Sequence, residues 1–464
     1  MITSQRFLLG NRCRLHAVIL YSLLILVLCA ASTFGQISYA ELLFRGIDRS
    51  TSGDLDGAIS DFNSAIAINP DNPVAYFNRA MVREKKADLA GAIADYTKAI
   101  EVAPKFANAF GYRGIARAKL GDAKGALADF EIAINLDPKN AAPYNSRGFA
   151  RQEAGDHARA IEDFTIAIQL APKFSIAYVN RAHSFIHKRD FDAAIKDYTL
   201  ALEADPRYAH AYNNRGNAYL EKGNFGSAIA DYNDAIKLAP QDPFPYYGRA
   251  VAFARRDELD KAIADLSKAL ELDPSYSKAR IVRGMLLAKQ GGNEAALDDY
   301  ANAAAEDPEN TDIILSRAWA KLYMNDGAGA HKDASEFLKL AGLKNLSSGY
   351  AIIIGYVGLR RSKDNAKADS FLKTWVKQVP KDNWTSRILR FFTGELSEQQ
   401  LMTFAGDSGS QTEAHTYIGQ MKLFRGDRAG ALTHFQWVKT NGASDFTEYT
   451  LSLRELDRLE KAPR

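Results

Sequence analysis

Small and large apolar positions alternate along this chain with a fixed period. Alanine stands at Ala58, Ala92, Ala126, Ala160, Ala194, Ala228, Ala262 and Ala296, and again seven residues on, from Ala65 to Ala303. Between each two falls a large side chain: Phe62, Tyr96, Phe130, Phe164, Tyr198, Tyr232, Leu266 or Tyr300. Steps of four and three residues put all three on one helical face. The small residues let a second helix approach, and the large one fills the space they leave. Another small position, Gly46, Ala80, Gly114, Gly148, Ala182, Gly216, Ala250 and Gly284, marks an earlier helix in the same period. Pro70, Pro104, Pro138, Pro172, Pro206, Pro240, Pro274 and Pro308 then recur every 34 residues. Proline cannot continue a helix, so each sets a stop. The pattern predicts eight helix pairs between residues 39 and 310.

This pattern of small residues, Ala…Phe/Tyr…Ala and Pro resembles the tetratricopeptide repeat family, which has this period. The resemblance implies an all-α fold, a right-handed superhelical solenoid of antiparallel helix pairs. It also implies that the first helix of each unit lines a concave groove, and that the chain is a binding protein with no catalytic residues. One departure is systematic. The position before each Gly/Ala, usually leucine in the family, is Arg45, Arg79, Arg113, Arg147, Arg181, Arg215, Arg249 or Arg283. Sixteen residues after each comes an aspartate, from Asp61 to Asp299. Charge pairs such as Arg79 with Asp95, Arg113 with Asp129, Arg181 with Asp197 and Arg215 with Asp231 are expected, either within a unit or between neighbours. Arginine suits them because its planar fork meets a carboxylate through two bonds.

After residue 310 the pattern decays. Residues 311–344 keep Arg317, Ala318 and Ala330 but carry Gly342 where proline belongs, and 345–380 keep little beyond Gly355 and Pro380. Residues 311–380 therefore read as degenerate units, giving two to three in all with the C-terminal region. Residues 381–464 read as a helical, repeat-like region, with Gly419, Ala431 and Phe435 back in register and a polar amphipathic segment from Glu448 to Lys461 as a terminal cap. The stretch from Trp384 to Leu401 resembles the C-terminal part of NlpI-type bacterial envelope lipoproteins. Those relatives are adaptors that bring cell-wall hydrolases and a periplasmic protease together, and the resemblance implies partners of that kind.

Composition changes the picture mainly at the N-terminus. Arg6, Arg12 and Arg14, an apolar run from Ala17 to Ala31 and then Ser32, Thr33 and Gly35 read as a secretory signal peptide over residues 1–35. Export to a periplasmic or cell-envelope site is expected. A retained leader would instead anchor the chain to a membrane, and lipid attachment at Cys29 is disfavoured by Leu28 before it. Cys13 and Cys29 are the two cysteines, so the mature chain would hold no disulfide and no Cys-ligated metal. The formal charge of +3 loses three arginines with the leader. A neutral mature chain argues against nucleic acid as partner. Charge is uneven, however. Between Leu343 and Arg390 stand Lys344, Arg360, Arg361, Lys363, Lys367, Lys373, Lys377, Lys381, Arg387 and Arg390 against Asp364, Asp369 and Asp382. Such a surplus could steer an anionic partner or a second copy of the chain, or it could be an ordinary solvated face.

Candidate contacts follow from register on the first helices. In related peptide-binding arrays an asparagine just before the Arg position holds the backbone of an extended peptide. That place has Asn78, Asn180 and Asn214 here, but Tyr112, Ser146 and Gly248 elsewhere. An amide supplies both donor and acceptor, which suits a peptide backbone, and it equally suits a bond within its own helix. His183 and His187 share one face, with His210, Asn213 and Asn217 nearby in register. A polar groove wall is the preferred reading. Three imidazoles could also hold zinc, yet no acidic ligand or HExxH motif accompanies them, so no metal and no cofactor is expected. Gly406-Asp407-Ser408-Gly409-Ser410 is read as a helix-linking loop, not a nucleophile loop, for want of any strand pattern. The expected function is an exported adaptor that holds protein or peptide segments in its groove. The alternative is a structural subunit of an export or polysaccharide-secretion complex.

Overall fold

The computed structural model describes residues 37–380, 383–444 and 446–461. The signal-peptide reading of residues 1–35, and with it Cys13 and Cys29, lies outside them. Among the described residues the chain forms 25 helices and no strand. None of these helices is long and apolar enough to cross a membrane.

Local chemistry sets the helix ends. Asp54, Asp88, Asp122, Asp156 and Asp190 each cap a second helix by accepting the backbone N–H three residues on. This satisfies one of the donors that a helix start leaves without a partner. Asn72, Asn140 and Asp242 cap first helices by accepting the N–H two residues on, with Pro73 and Pro243 at the first helical position. The periodic prolines fall two residues beyond each second helix. Within a pair the connecting turn needs one residue in the left-handed region. Gly121 takes it at φ 85°, whereas Ala87, Arg189 and Asp257 are held there without glycine's freedom.

Two compact units divide the chain, Met1–Leu238 and Ala239–Arg464. The first contains six helix pairs: Tyr39–Ser52 with Leu55–Ile68, Pro73–Lys85 with Leu89–Val102, Ala107–Lys119 with Ala123–Leu136, Ala141–Glu153 with His157–Leu170, Ser175–His187 with Phe191–Ala204, and Ala209–Glu221 with Phe225–Leu238. These are repeats 1 to 6. The second begins with repeats 7 to 10: Pro243–Arg255 with Leu259–Leu272, Ser277–Gln290 with Asn293–Glu306, Thr311–Tyr323 with Gly327–Ala341, and Ser348–Arg361 with Asn365–Val376. Two short helices, Trp384–Phe392 and Glu398–Phe404, lead to a further pair, Ser408–Phe424 with Arg428–Asn441, and to a C-terminal helix, Thr447–Lys461.

The periodic alanines and aromatics are the core. Ala58, Ala92, Ala126 and their counterparts are fully buried beside Phe62, Tyr96 and Phe130. The glycines at the first-helix position are small for a steric reason. A Cβ at Gly114 would lie 2.7 Å from the Phe130 ring, and one at Gly148 would lie 2.8 Å from Phe164.

The Arg/Asp motif resolves as a bond within each unit. Arg79 donates from Nε and Nη2 to Asp95 at 2.8 and 2.6 Å, and its Nη1 reaches back to Asn63 of the preceding second helix at 2.6 Å. Arg113, Arg181 and Arg215 repeat this, bonding Asp129, Asp197 and Asp231 while reaching Thr97, Thr165 and Thr199. One guanidinium thus closes its own pair and ties it to the neighbour. In repeats 1 to 4 a second arginine one turn on, Arg49, Arg83, Arg117 or Arg151, shares the same carboxylate. The ninth repeat keeps the motif as Arg317 with Asp333, so the departure from the pattern after residue 310 is not structural there.

Candidate functional site

On the first helices of repeats 4 to 6, several of the polar residues singled out from sequence bond sideways from one repeat to the next. Asn180 Nδ2 donates to Asn145 Oδ1 at 3.0 Å, and both side chains are buried. Asn214 Nδ2 meets His183 Nε2 at 3.0 Å. Burial, and then the charge of His187, hold the His183 pKa down to about 4, so its ring is neutral in this network. Asn213 Nδ2 leans on Asn214 Oδ1 at 3.4 Å, while Asn213 Oδ1 is buried without a donor. Asn217 is exposed and accepts the Tyr232 hydroxyl at 2.7 Å.

The predicted residues therefore divide. Asn213, Asn214 and His183 are linked by hydrogen bonds, and Asn217 lies one turn on from Asn213 in the same helix. Asn180 lies inside the wall, bonded between repeats. Asn78 is remote from it and donates to its own helix at Val74 O, 2.8 Å, which is the helix-bonding alternative. His187 is exposed and stacks on His157 of the preceding repeat, ring centroids 4.3 Å apart. His210 sits edge-on to Tyr208. Among the described residues no three His, Cys, Asp or Glu side chains are placed to hold a metal ion. Asn145 and His157 escaped the sequence reading. Asn145 shares the register of Asn213 two repeats on, a signal available in the pattern, whereas His157 lies on a second helix and offered none.

A second polar assembly, in the C-terminal unit, had no sequence signal. Glu413 is buried and accepts from Tyr350 Oη at 3.1 Å and Trp384 Nε1 at 2.9 Å. Glu448 accepts from Tyr417 Oη at 2.7 Å and Thr447 Oγ1 at 2.9 Å. Burial first, and the neighbouring Glu448 carboxylate next, push the Glu413 pKa up to about 8; burial raises that of Glu448 too. Along the same helix Ser452 bonds Thr416, and Glu455 pairs with the buried Arg361. The terminal segment, expected as a solvated cap, is thus docked through Glu448, Ser452 and Glu455 together with Leu451 and Leu456. The loop before Ser408 is a cap: Asp407 accepts the Ser410 N–H at 2.7 Å.

Comparison with known proteins identifies the repeat. The tetratricopeptide repeat pattern matches residues 77–141, 145–206 and 179–243, a second form of it matches 243–276, and a third, the TPR repeat, matches 51–87. Among solved structures, a tetratricopeptide repeat protein from Parabacteroides merdae is 21% identical, covering 54% of this chain and 98% of that one, with a TM-score of 0.42. YrrB, described as a TPR protein with an unusual peptide-binding site, is 25% identical over 39% of this chain and 93% of its own, TM-score 0.35. PilF of Pseudomonas aeruginosa is 20% identical over 45% and 94%, TM-score 0.41.

Proposed function

We propose that this chain, a tetratricopeptide repeat protein, is a cell-envelope adaptor that holds an extended segment of a protein partner against the first helices of repeats 4 to 6. Tetratricopeptide repeat proteins generally mediate protein–protein interaction and scaffolding. The observation that carries the reading is the amide and imidazole row there. Its inner members, Asn145 and Asn180, are spent on each other, which fixes the wall. Its outer members keep capacity to spare. The buried Asn213 carbonyl oxygen has no donor, and the exposed Asn217 bonds one hydroxyl. The exposed Asn217 amide can still bond a peptide backbone laid along the wall, whereas the Asn213 oxygen is reached only when its side chain turns outward. Neutral His183 adds no charge, so the wall selects for backbone amides over ions.

Export rests on the leader read at residues 1–35, and wall hydrolases or proteases as partners rest on the resemblance of Trp384–Leu401 to envelope lipoproteins. The test is photo-crosslinking in intact cells from Asn217 or His187, both exposed. Exported enzymes trapped from these sites, and lost on Asn213→Ala with Asn217→Ala at unchanged melting temperature, are the expected result. Trapping that is indifferent to those two changes would move the site off this wall.

A further inference from the structure

The basic surplus between Leu343 and Arg390 is sorted by residue type. Its arginines are turned to the protein. Arg361 is buried against Glu455, Arg360 bonds Asn365 at 3.2 Å, Arg387 lies 4.3 Å over the Phe404 ring, and Arg390 bonds Glu395 at 3.1 Å. Its described lysines, Lys344, Lys363, Lys367, Lys373 and Lys377, are all exposed and form no ion pair among the described residues. Elsewhere in the same unit lysines commonly have acids: Lys261 with Glu258, Lys268 with Glu271, Lys289 with Asp257, Lys321 with Asp333.

Topology gathers several of these at one end of the tenth repeat. Gly327–Ala341 finishes there, Ser348–Arg361 starts there, and Asn365–Val376 returns to it. Lys339, Lys344, Lys373 and Lys377 therefore share that end. On the returning helix, at 3.6 residues per turn, Lys367, Lys373 and Lys377 span an arc of about 120°. The opposite face, Ala368 and Leu372, is buried. Two apolar side chains stand among the lysines: Leu340 is 43% exposed and Leu346 is 95% exposed. A leucine this bare, in a loop flanked by cations, gains nothing from its own fold.

We propose that this end of the tenth repeat docks on an anionic lipid surface, with Lys339, Lys344, Lys373 and Lys377 at the headgroups and Leu340 and Leu346 entering the interface. Lysine is a mobile point charge on a long stem, suited to headgroups that rearrange, whereas a fixed acidic epitope favours the planar arginine fork. Every arginine of this stretch is already engaged. Cations surrounding exposed aliphatic side chains are the composition of an interfacial element, which combines apolar burial with attraction to anionic lipid. An acidic protein segment would share the charge term but would have no use for a loop leucine presented outside any groove.

The full chain is tested by co-sedimentation with phosphatidylcholine vesicles with and without phosphatidylglycerol. Binding to the anionic vesicles alone, weakening with salt, is expected. Each Lys→Gln change should lower partitioning about fivefold, and Leu346→Asn should lower it with the salt dependence unaltered. All these positions are exposed, so the melting temperature should hold. No binding of the wild-type chain to anionic vesicles overturns the proposal, as does full binding by the fourfold Gln variant. Polyglutamate bound as tightly as vesicles, with Leu346→Asn without effect, would overturn it in favour of an acidic protein partner.

Discussion

Raising the pH should loosen the C-terminal helix, against the usual trend in which acid is the destabilising condition. Glu413 has its carboxyl pKa lifted from 4.5 to about 8 by burial and by Glu448. In the unfolded chain the same group ionises near 4.5. Between these values the folded state holds a proton that the unfolded state has released, so stability is complete below about 4.5 and falls as pH rises through 8. At about 1.4 kcal/mol per pH unit, the whole interval corresponds to about 5 kcal/mol. Glu448, raised in the same direction, adds to it. The groups facing the pair are Tyr350, Trp384, Tyr417 and Thr447, all donors, with Asp407 a further negative charge and, among the described residues, no cation bonded to either carboxylate. Hydrogen exchange of peptides from 408–424 and 447–461 at pH 5.5 and 8.5, corrected for intrinsic rates, reads this directly. Protection should drop at the higher pH, and Glu413→Gln should flatten the difference because the amide keeps the size and has no charge to lose. The Tyr350 hydroxyl can turn to accept from the new NH₂. Equal protection at both pH values, or an unchanged slope in the variant, refutes the reasoning.

The first unit should respond in the opposite sense. The His183 pKa is held at about 4 in the fold against 6.5 when exposed, so stability is complete above 6.5 and lost as pH falls towards 4, by about 3 kcal/mol. Acid titration of wild type against His183→Gln, followed by exchange of the peptide 175–187, checks it. Asp163→Ala strips Arg147 and Arg151 of a carboxylate reached at 2.8 Å by each, and should cost about 3 kcal/mol in urea unfolding. Arg151→Ala should cost clearly less, since Arg147 still holds the carboxylate by two bonds. Gly148→Leu forces a side chain to within 2.8 Å of Phe164 and should destabilise repeat 4 by about 1–3 kcal/mol, seen as local loss of exchange protection with distant repeats unchanged.

What the sequence determined is whatever repeats. A helix pair cannot bury its apolar face alone, so each unit must carry the same small and large residues in the same places, and periodicity exposes them. Ala58 to Ala303, the Gly/Ala positions and the Arg/Asp pairs were legible for that reason. Sequence spacing did not say whether Arg79 closes its own unit or ties it to a neighbour. The structure shows that it does both, because Nε and Nη2 face Asp95 while Nη1 faces Asn63. Single substitutions in the pattern were legible only as residue types. Asn180 and Asn214 share one register, yet Asn180 points at Asn145 and is buried, whereas Asn214 meets His183. Which neighbour an amide finds depends on the side chain that the adjacent repeat offers, and no spacing rule carries that. The acidic pair Glu413 and Glu448, and Arg361 with Glu455, join residues 35 and 94 positions apart, at places the repeat pattern does not mark. Only tertiary packing decided that these charges are buried together, because the helices that enclose them are brought there by contacts far along the chain.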